Sequence, residues 1–260
     1  MALSDAPPPL EVSDSNPLRE GLWLWALALA GLAVARYLLN PFLGPLVAGV
    51  PLLQGLFYPK TVAAFLFLYL PIWSMRRRGE YPEDYGATLE GWPRSLALSL
   101  GVMAVILPIY VAGYALFLKL TPQLPSPLSH ALVPYGTTRY VLVPHWPPHF
   151  VLHVLDQFFV VALPEEFFYR GYLQARFKLA LGPGPRRLGV PMGRAFFLTQ
   201  LLFAAGHLVE PHPWRLAVFF PALLFGWLRE RSGGLVAPVV AHAISNLTVL
   251  TLEAWFFGMG

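Results

Sequence analysis

The chain has 260 residues, of which 56% are hydrophobic and 12% charged, with a net charge of +4 and no cysteine. A soluble globular domain carries about 25% charged residues, so this chain lacks the charge to cover a water-facing surface. Disulfides, thiolate zinc sites and cysteine nucleophiles are excluded, and the small positive excess suits anionic headgroups, not nucleic acid.

Apolar runs of about 16–25 residues, long enough to cross a bilayer, recur along the sequence. They predict an all-α fold: a polytopic transmembrane helix bundle of about 7–8 helices forming one integrated membrane domain. Residues 1–20 are acidic and proline-rich, carry no basic-then-apolar leader, and read as a flexible N-terminal tail. Residues 21–148 read as N-terminal membrane helices and an extracytoplasmic loop. Residues 149–257 read as the helices that carry the chemistry.

In chain order, residues 22–39 form the first span, with Trp23 and Trp25 as expected interfacial anchors. The next run, 41–58, is short and broken by Pro45 and Pro51. It reads equally as a kinked helix or a re-entrant segment, which leaves the side of the N-terminus open. Residues 61–75 span again and end in Arg76, Arg77 and Arg78, expected to face the cytoplasm. Residues 95–119 return to the other side, and the proline-rich, aromatic stretch 121–148 is expected to cap the bundle there. A helix from His149 runs inward to Lys178, followed by a loop with Arg186, Arg187 and Arg194. Spans at 195–209, 214–228 and 235–257 follow, with Arg229 and Arg231 between the last two. The basic clusters agree on one orientation and are read first as topology markers.

Against this pattern stands "VALPEEFFYRGY" at 161–172. A charge at the centre of a membrane helix costs about 2.5–3.5 kcal/mol on insertion scales, so Glu165, Glu166 and Arg170 must face the bundle interior, pair, or line a wet cavity. Glu166 and Arg170 are four apart and form a ready ion pair; Glu165 points about 100° away. Pro164 lacks an N–H and is expected to disturb the helix locally. A buried pair that only fixes packing is the plain alternative. Two further stretches tip the balance toward chemistry. "FAAGH" puts His207 within the following span, and "HAISN" puts His242 and Asn246 four apart on the last. The small residues Ala204, Ala205, Gly206, Ala241 and Ala243 permit close helix packing around the histidines. A carboxylate can take a proton from water, a histidine can orient that water or protonate a leaving amine, and an amide donor can stabilise an oxyanion. These groups suffice for peptide hydrolysis without a serine or cysteine. "HExxH" is absent, and Asp156 has no partner aspartate of the presenilin kind. His145, His149 and His153 read as interfacial histidines.

With "EEFFYR", "FAAGH" and "HAISN" in this order on three spans, the chain resembles the CAAX protease and bacteriocin-processing family, also called the Abi family. That family includes the Ras-converting prenyl-protein protease. The resemblance covers roughly residues 150–251. It implies an intramembrane endopeptidase that cuts a membrane-associated protein or peptide, near its C-terminus, in a multi-pass protein of the prokaryotic cell (inner) membrane. By position, Glu165 would activate water with His207 as its partner. His242 and Asn246 would form the oxyanion site, and Glu166 and Arg170 would be accessory. A cavity open to the cytoplasmic side or laterally to lipid is implied. Metal use is left open: the same residues could hold a divalent ion such as zinc or act without one. An ion-coupled transporter using the same buried Glu, Arg and His residues is the rival reading, although no inverted repeat is visible.

Overall fold

A computed structural model describes residues 16–47, 49–50, 58–132 and 142–257. Of the tail expected at 1–20, residues 1–15 lie outside them and residues 17–20 form the first turn of a helix instead; part of the broken run (48 and 51–57) and the middle of the long loop also lie outside. Among the described residues the chain forms eight helices: α1 (Pro17–Leu46), α2 (Pro59–Arg78), α3 (Trp92–Leu120), α4 (Ser126–Leu132), α5 (residues 150–181), α6 (Arg194–Gly206), α7 (Phe219–Ser232) and α8 (Val236–Phe257). Short turns of 3-10 helix extend α6 at His207–Val209 and lead into α7 at Pro213–Val218, so the span expected from 214 enters α7 later. The one strand pair described is a small hairpin, Arg186–Arg187 against Val190–Pro191.

The helix ends follow local chemistry. Asn16 caps α1 with Oδ1 accepting from the backbone N–H groups of Leu18 and Arg19, and Pro17 takes the position where a missing N–H costs nothing. The first helix does not stop at 39. It runs on through 40–46, because Pro41 and Pro45 follow a wide turn at Ala35–Leu39 without breaking the rod. α2 ends on Gly79 in the left-handed region (φ 71°), with its three arginines against the carbonyl end of the helix.

α1, α3 and α8 are long and apolar enough to cross a membrane, and α6 is a shorter apolar helix. α5 lies at the centre, packed on α1, α2, α6 and α8. Around it sits an aromatic core of Phe67, Phe168, Tyr169, Tyr172, Phe177 and Phe203. Small residues set the close approaches: Ala28, Ala222, Ala241 and Ala243 have no exposed surface. Large apolar side chains such as Trp23, Phe65, Ile109 and Phe159 are exposed instead, as a lipid-facing perimeter requires. Trp25, expected beside it as an interfacial anchor, faces inward, and its indole N–H donates to the carbonyl of Leu202 on α6 (3.2 Å).

Glu20 settles the direction of α1. Near the start of that helix it pairs with Arg78 at the end of α2 and with Arg176 near the end of α5 (2.5 Å). Arg229, at the end of α7, donates to the carbonyl of Tyr85 (3.0 Å) in the loop after α2. The start of α1 therefore lies at the same end as the arginine clusters. Several of those arginines are internal ties and not only topology markers. In the same loop Gly86 (φ 84°) leaves no room for a side chain, since a Cβ would lie 2.6 Å from Arg229 Nη2. Burial and the neighbouring Glu80 carboxylate push the Tyr85 phenol well above its ordinary pKa, so it donates to that carboxylate (2.5 Å). At the opposite end residues 142–149 fold over α8. Val143 N–H donates to the carbonyl of Trp255 (2.9 Å), and the indole of Trp255 donates to the carbonyl of His145 (2.5 Å).

Candidate active site

Glu165 and Glu166 occupy the midpoint of α5. They stand on a short α-helical stretch, Leu163–Glu166, between two wide π turns, Asp156–Ala162 and Phe167–Leu173. Pro164 supplies no N–H, and the helix accommodates it by widening while staying continuous. The two carboxylates consequently face different surroundings.

Glu166 is fully buried. One of its oxygens, Oε1, accepts from Arg170 Nη1 (2.9 Å) and lies 2.7 Å from Nδ1 of His242. The ion pair expected from spacing is present, and the histidine of α8 joins it. Arg170 is also buried. It donates to Gln200 Oε1 (3.0 Å) and to the carbonyl of Ala222 (3.3 Å), and its guanidinium lies 4.2 Å from the centre of the Phe203 ring. His242 itself is stacked on Phe225 (4.8 Å between ring centres).

Glu165 turns away from that pair into a cavity of about 200 Å³, room for several waters at about 30 Å³ each. His207, Tyr169 and Gly206 line it beside Glu165; Leu29, Ala63 and Phe67 give it an apolar wall. One carboxylate oxygen of Glu165, Oε2, is buried and has no protein hydrogen-bond partner. It lies 3.9 Å from His242 Nε2, too long for a direct hydrogen bond and short enough for one water to touch both. His207 places Nδ1 2.9 Å from the carbonyl of Phe203. Carboxylate and carbonyl oxygens only accept, so both rings carry a proton on Nδ1, and in the neutral ring Nε2 is the free lone pair. The centre is thus rich in proton acceptors.

Asn246 stands one turn beyond His242 on α8 and donates to Gln157 Oε1 (2.8 Å). It does not line the cavity. The structure therefore brings Glu165, His207 and His242 together, adds Glu166 and Arg170 behind them, and holds Asn246 at the edge through a glutamine. Gln157, Tyr169, Gln174 and Gln200 were not foreseen; for Gln157 and Gln200 the available signal was an amide side chain inside an apolar run.

The rim of the cavity contains Arg36, Lys60, Glu210 and Arg215. Arg36 pairs with Glu210 (2.5 Å), which also meets Arg215, and Lys60 pairs with Asp156 (2.7 Å). Arg36 is near the far end of α1, and Lys60 is at the start of α2. The rim therefore lies at the end of the bundle away from the arginine clusters, not at the arginine end where one of the two expected openings would fall.

Among the described residues no three His, Cys, Asp or Glu side chains are grouped to hold a metal ion. Nδ1 of each histidine is committed and Glu166 is committed to Arg170, which leaves Nε2 of His207, Nε2 of His242 and Oε2 of Glu165 as the donors facing the cavity side.

A bundle with apolar, membrane-length helices that gathers two glutamates, an arginine and two histidines at and behind a largely apolar cavity is a membrane protein with titratable side chains inside it. Residues 147–248 match the family model described as type II CAAX prenyl endopeptidase, Rce1-like. The match includes all six expected site residues and supports the resemblance to the CAAX protease and bacteriocin-processing family, a family of proteases. None of the curated proteins and none of the solved structures matches the chain significantly.

Proposed function

We propose that the protein is a multi-pass intramembrane endopeptidase of the cell membrane, hydrolysing a peptide bond in a membrane-associated protein or peptide with water activated at Glu165. The observation that supports this most is the unpartnered Glu165 oxygen, aimed into a cavity it shares with His207 and one water's width from His242. Glu165 takes a proton from that water as the oxygen attacks the substrate carbonyl. His207 orients the same water through its Nε2 lone pair; the new C–O bond leaves a tetrahedral oxyanion, which the second N–H of the Asn246 amide stabilises from the edge of the site once substrate is bound. As the C–N bond breaks, the stored proton passes to the leaving amine, and Glu165 is restored as a carboxylate. Glu166 and Arg170 hold His242 in place. No step is routed through a metal.

The apolar wall favours an extended segment of membrane-embedded chain, reaching the water from the rim end. A prenyl group is not needed for that approach, and cleavage near the C-terminus of the substrate follows the family.

The test is purified protein in lipid with a peptide library, wild type against Glu165→Gln, His207→Ala and Asn246→Ala. Removing a positioned general base is expected to slow turnover by about 10²–10⁴-fold. Three variants that cut as fast as wild type would contradict the assignment. Proton-coupled uptake into liposomes, lost in Glu165→Gln and unaccompanied by cleavage, would point to a transporter.

A further inference from the structure

Behind the ion pair, buried polar side chains continue toward the arginine end of the bundle. Arg170 Nη2 donates to Gln200 Oε1 (3.0 Å), Gln200 Nε2 donates to Gln174 Oε1 (3.1 Å), and Gln174 Nε2 donates to Glu230 Oε1 (2.7 Å). Lys178 closes the series by donating to Glu230 Oε2 (2.7 Å). Arg170, Gln174 and Gln200 are at most 1% exposed. Four elements contribute: α5, α6, α7 and, through His242, α8.

The direction of every bond is fixed. A guanidinium only donates, so Gln200 must turn its oxygen to Arg170; its N–H groups then face Gln174, whose own N–H groups must face a pure acceptor. The carboxylate of Glu230 is that acceptor. Neither amide can flip without setting like against like at both of its ends. The fold also makes room for this arrangement, because a Cβ on Gly226 of α7 would lie 2.5 Å from Gln200 Nε2. Apolar side chains would fill the same space without the desolvation penalty of buried amides and charges. Gln174, Gln200 and Glu230 leave no buried side-chain polar atom without a partner, while Arg170 Nε and Glu166 Oε2 at the site end have none; a relay matched in this way specifies one arrangement of its members.

We propose that Gln200, Gln174 and Glu230 are positioning residues: a one-way hydrogen-bond relay that holds Arg170, and through Glu166 the ring of His242, in the orientation the reaction needs. This rests on the endopeptidase reading above. It ties the set of Nε2 beside Glu165 to a carboxylate near the far end of α7, at the opposite end of the bundle from the cavity rim.

The relay makes an exchange of two side chains informative. Gln174→Glu sets a carboxylate against Glu230, and Glu230→Gln removes the terminal acceptor. With both changes, Glu at 174 accepts from Gln200 and from the amide at 230, and the polarity is restored; Lys178, one turn along, can pair with the new carboxylate. Turnover per folded molecule is measured on a cleaved peptide, with Glu165→Gln as control. Each single variant is expected to lower kcat by about tenfold, the scale on which outer partners of a site act, with KM unchanged, and the double variant to regain most of it. Singles that match wild type, losses confined to KM, or a double variant no better than the worse single overturn the relay. An inactive Glu165→Gln in that assay leaves the endopeptidase reading standing. No cleavage by the wild-type protein overturns both.

Discussion

Glu166 on α5 and His242 on α8 are 76 residues apart in sequence and meet at 2.7 Å, carboxylate oxygen to ring Nδ1, with neither side chain more than 5% exposed. This contact decides which nitrogen of His242 is free, and so which atom faces Glu165. It also makes Glu166 the hinge between the buried charge of Arg170 and the cavity.

Glu166→Gln leaves Arg170 buried without a counter-charge. Breaking a buried pair from one side costs about 3–5 kcal/mol, so a clear fall in the thermal midpoint in detergent is expected together with loss of turnover. Replacing both Glu166 and Arg170 with leucine is expected to return much of the stability and none of the activity. Calorimetry and peptide cleavage on the same samples check the separation.

Glu20 ties the start of α1 to α2 and α5 through Arg78 and Arg176. Glu20→Gln is expected to lower stability by about 3 kcal/mol, below the ceiling for a fully buried pair because a fifth of the side chain is exposed. Limited proteolysis near the start of α1 and the thermal midpoint both report it. An unchanged midpoint would show that α1 is held by apolar packing alone.

Gly206 lines the cavity, and a Cβ there would lie 2.7 Å from the hydroxyl of the buried Tyr169. Overpacking a tight site costs about 1–3 kcal/mol. Gly206→Ala is expected to lower stability by that much and to reduce cleavage further by displacing His207, the next residue. Cleavage at the wild-type rate would mean that Tyr169 can move aside freely.

The chain has no cysteine, which makes topology directly measurable with single-cysteine variants and a membrane-impermeant thiol reagent. Arg19→Cys, Arg77→Cys and Arg187→Cys are expected to label from one side, Trp146→Cys and His212→Cys from the other. Labelling of positions 19 and 77 from opposite sides would contradict the α1–α2 hairpin. In activity assays, a chelator is expected to leave cleavage intact, and loss restored by zinc would contradict the metal-free route.

Much of this was legible in the sequence because intramembrane charge is rare enough to be informative. The four-residue spacing of Glu166 and Arg170 gave their pair, and the arginine runs gave a common end. What spacing could not show is which partner from another helix completes a site. Glu166 takes His242 from α8, Arg170 takes Gln200 from α6, and Asn246 takes Gln157. These are tertiary choices that no single helix encodes. The direction of α1 depended on a lone Glu20 finding Arg78 and Arg176. The cavity rim depended on Arg36 and Lys60, each of which looked like an ordinary residue near a helix end. The inward turn of Trp25 likewise follows from α6 lying against α1.

The most direct test is a double-mutant cycle on kcat between Glu165→Gln and His207→Ala. If both act on one water in one cavity, the double variant loses no more than the worse single variant, as residues that work as a unit do. Losses that multiply, or a Glu165→Gln enzyme that cuts at the wild-type rate, would contradict the account.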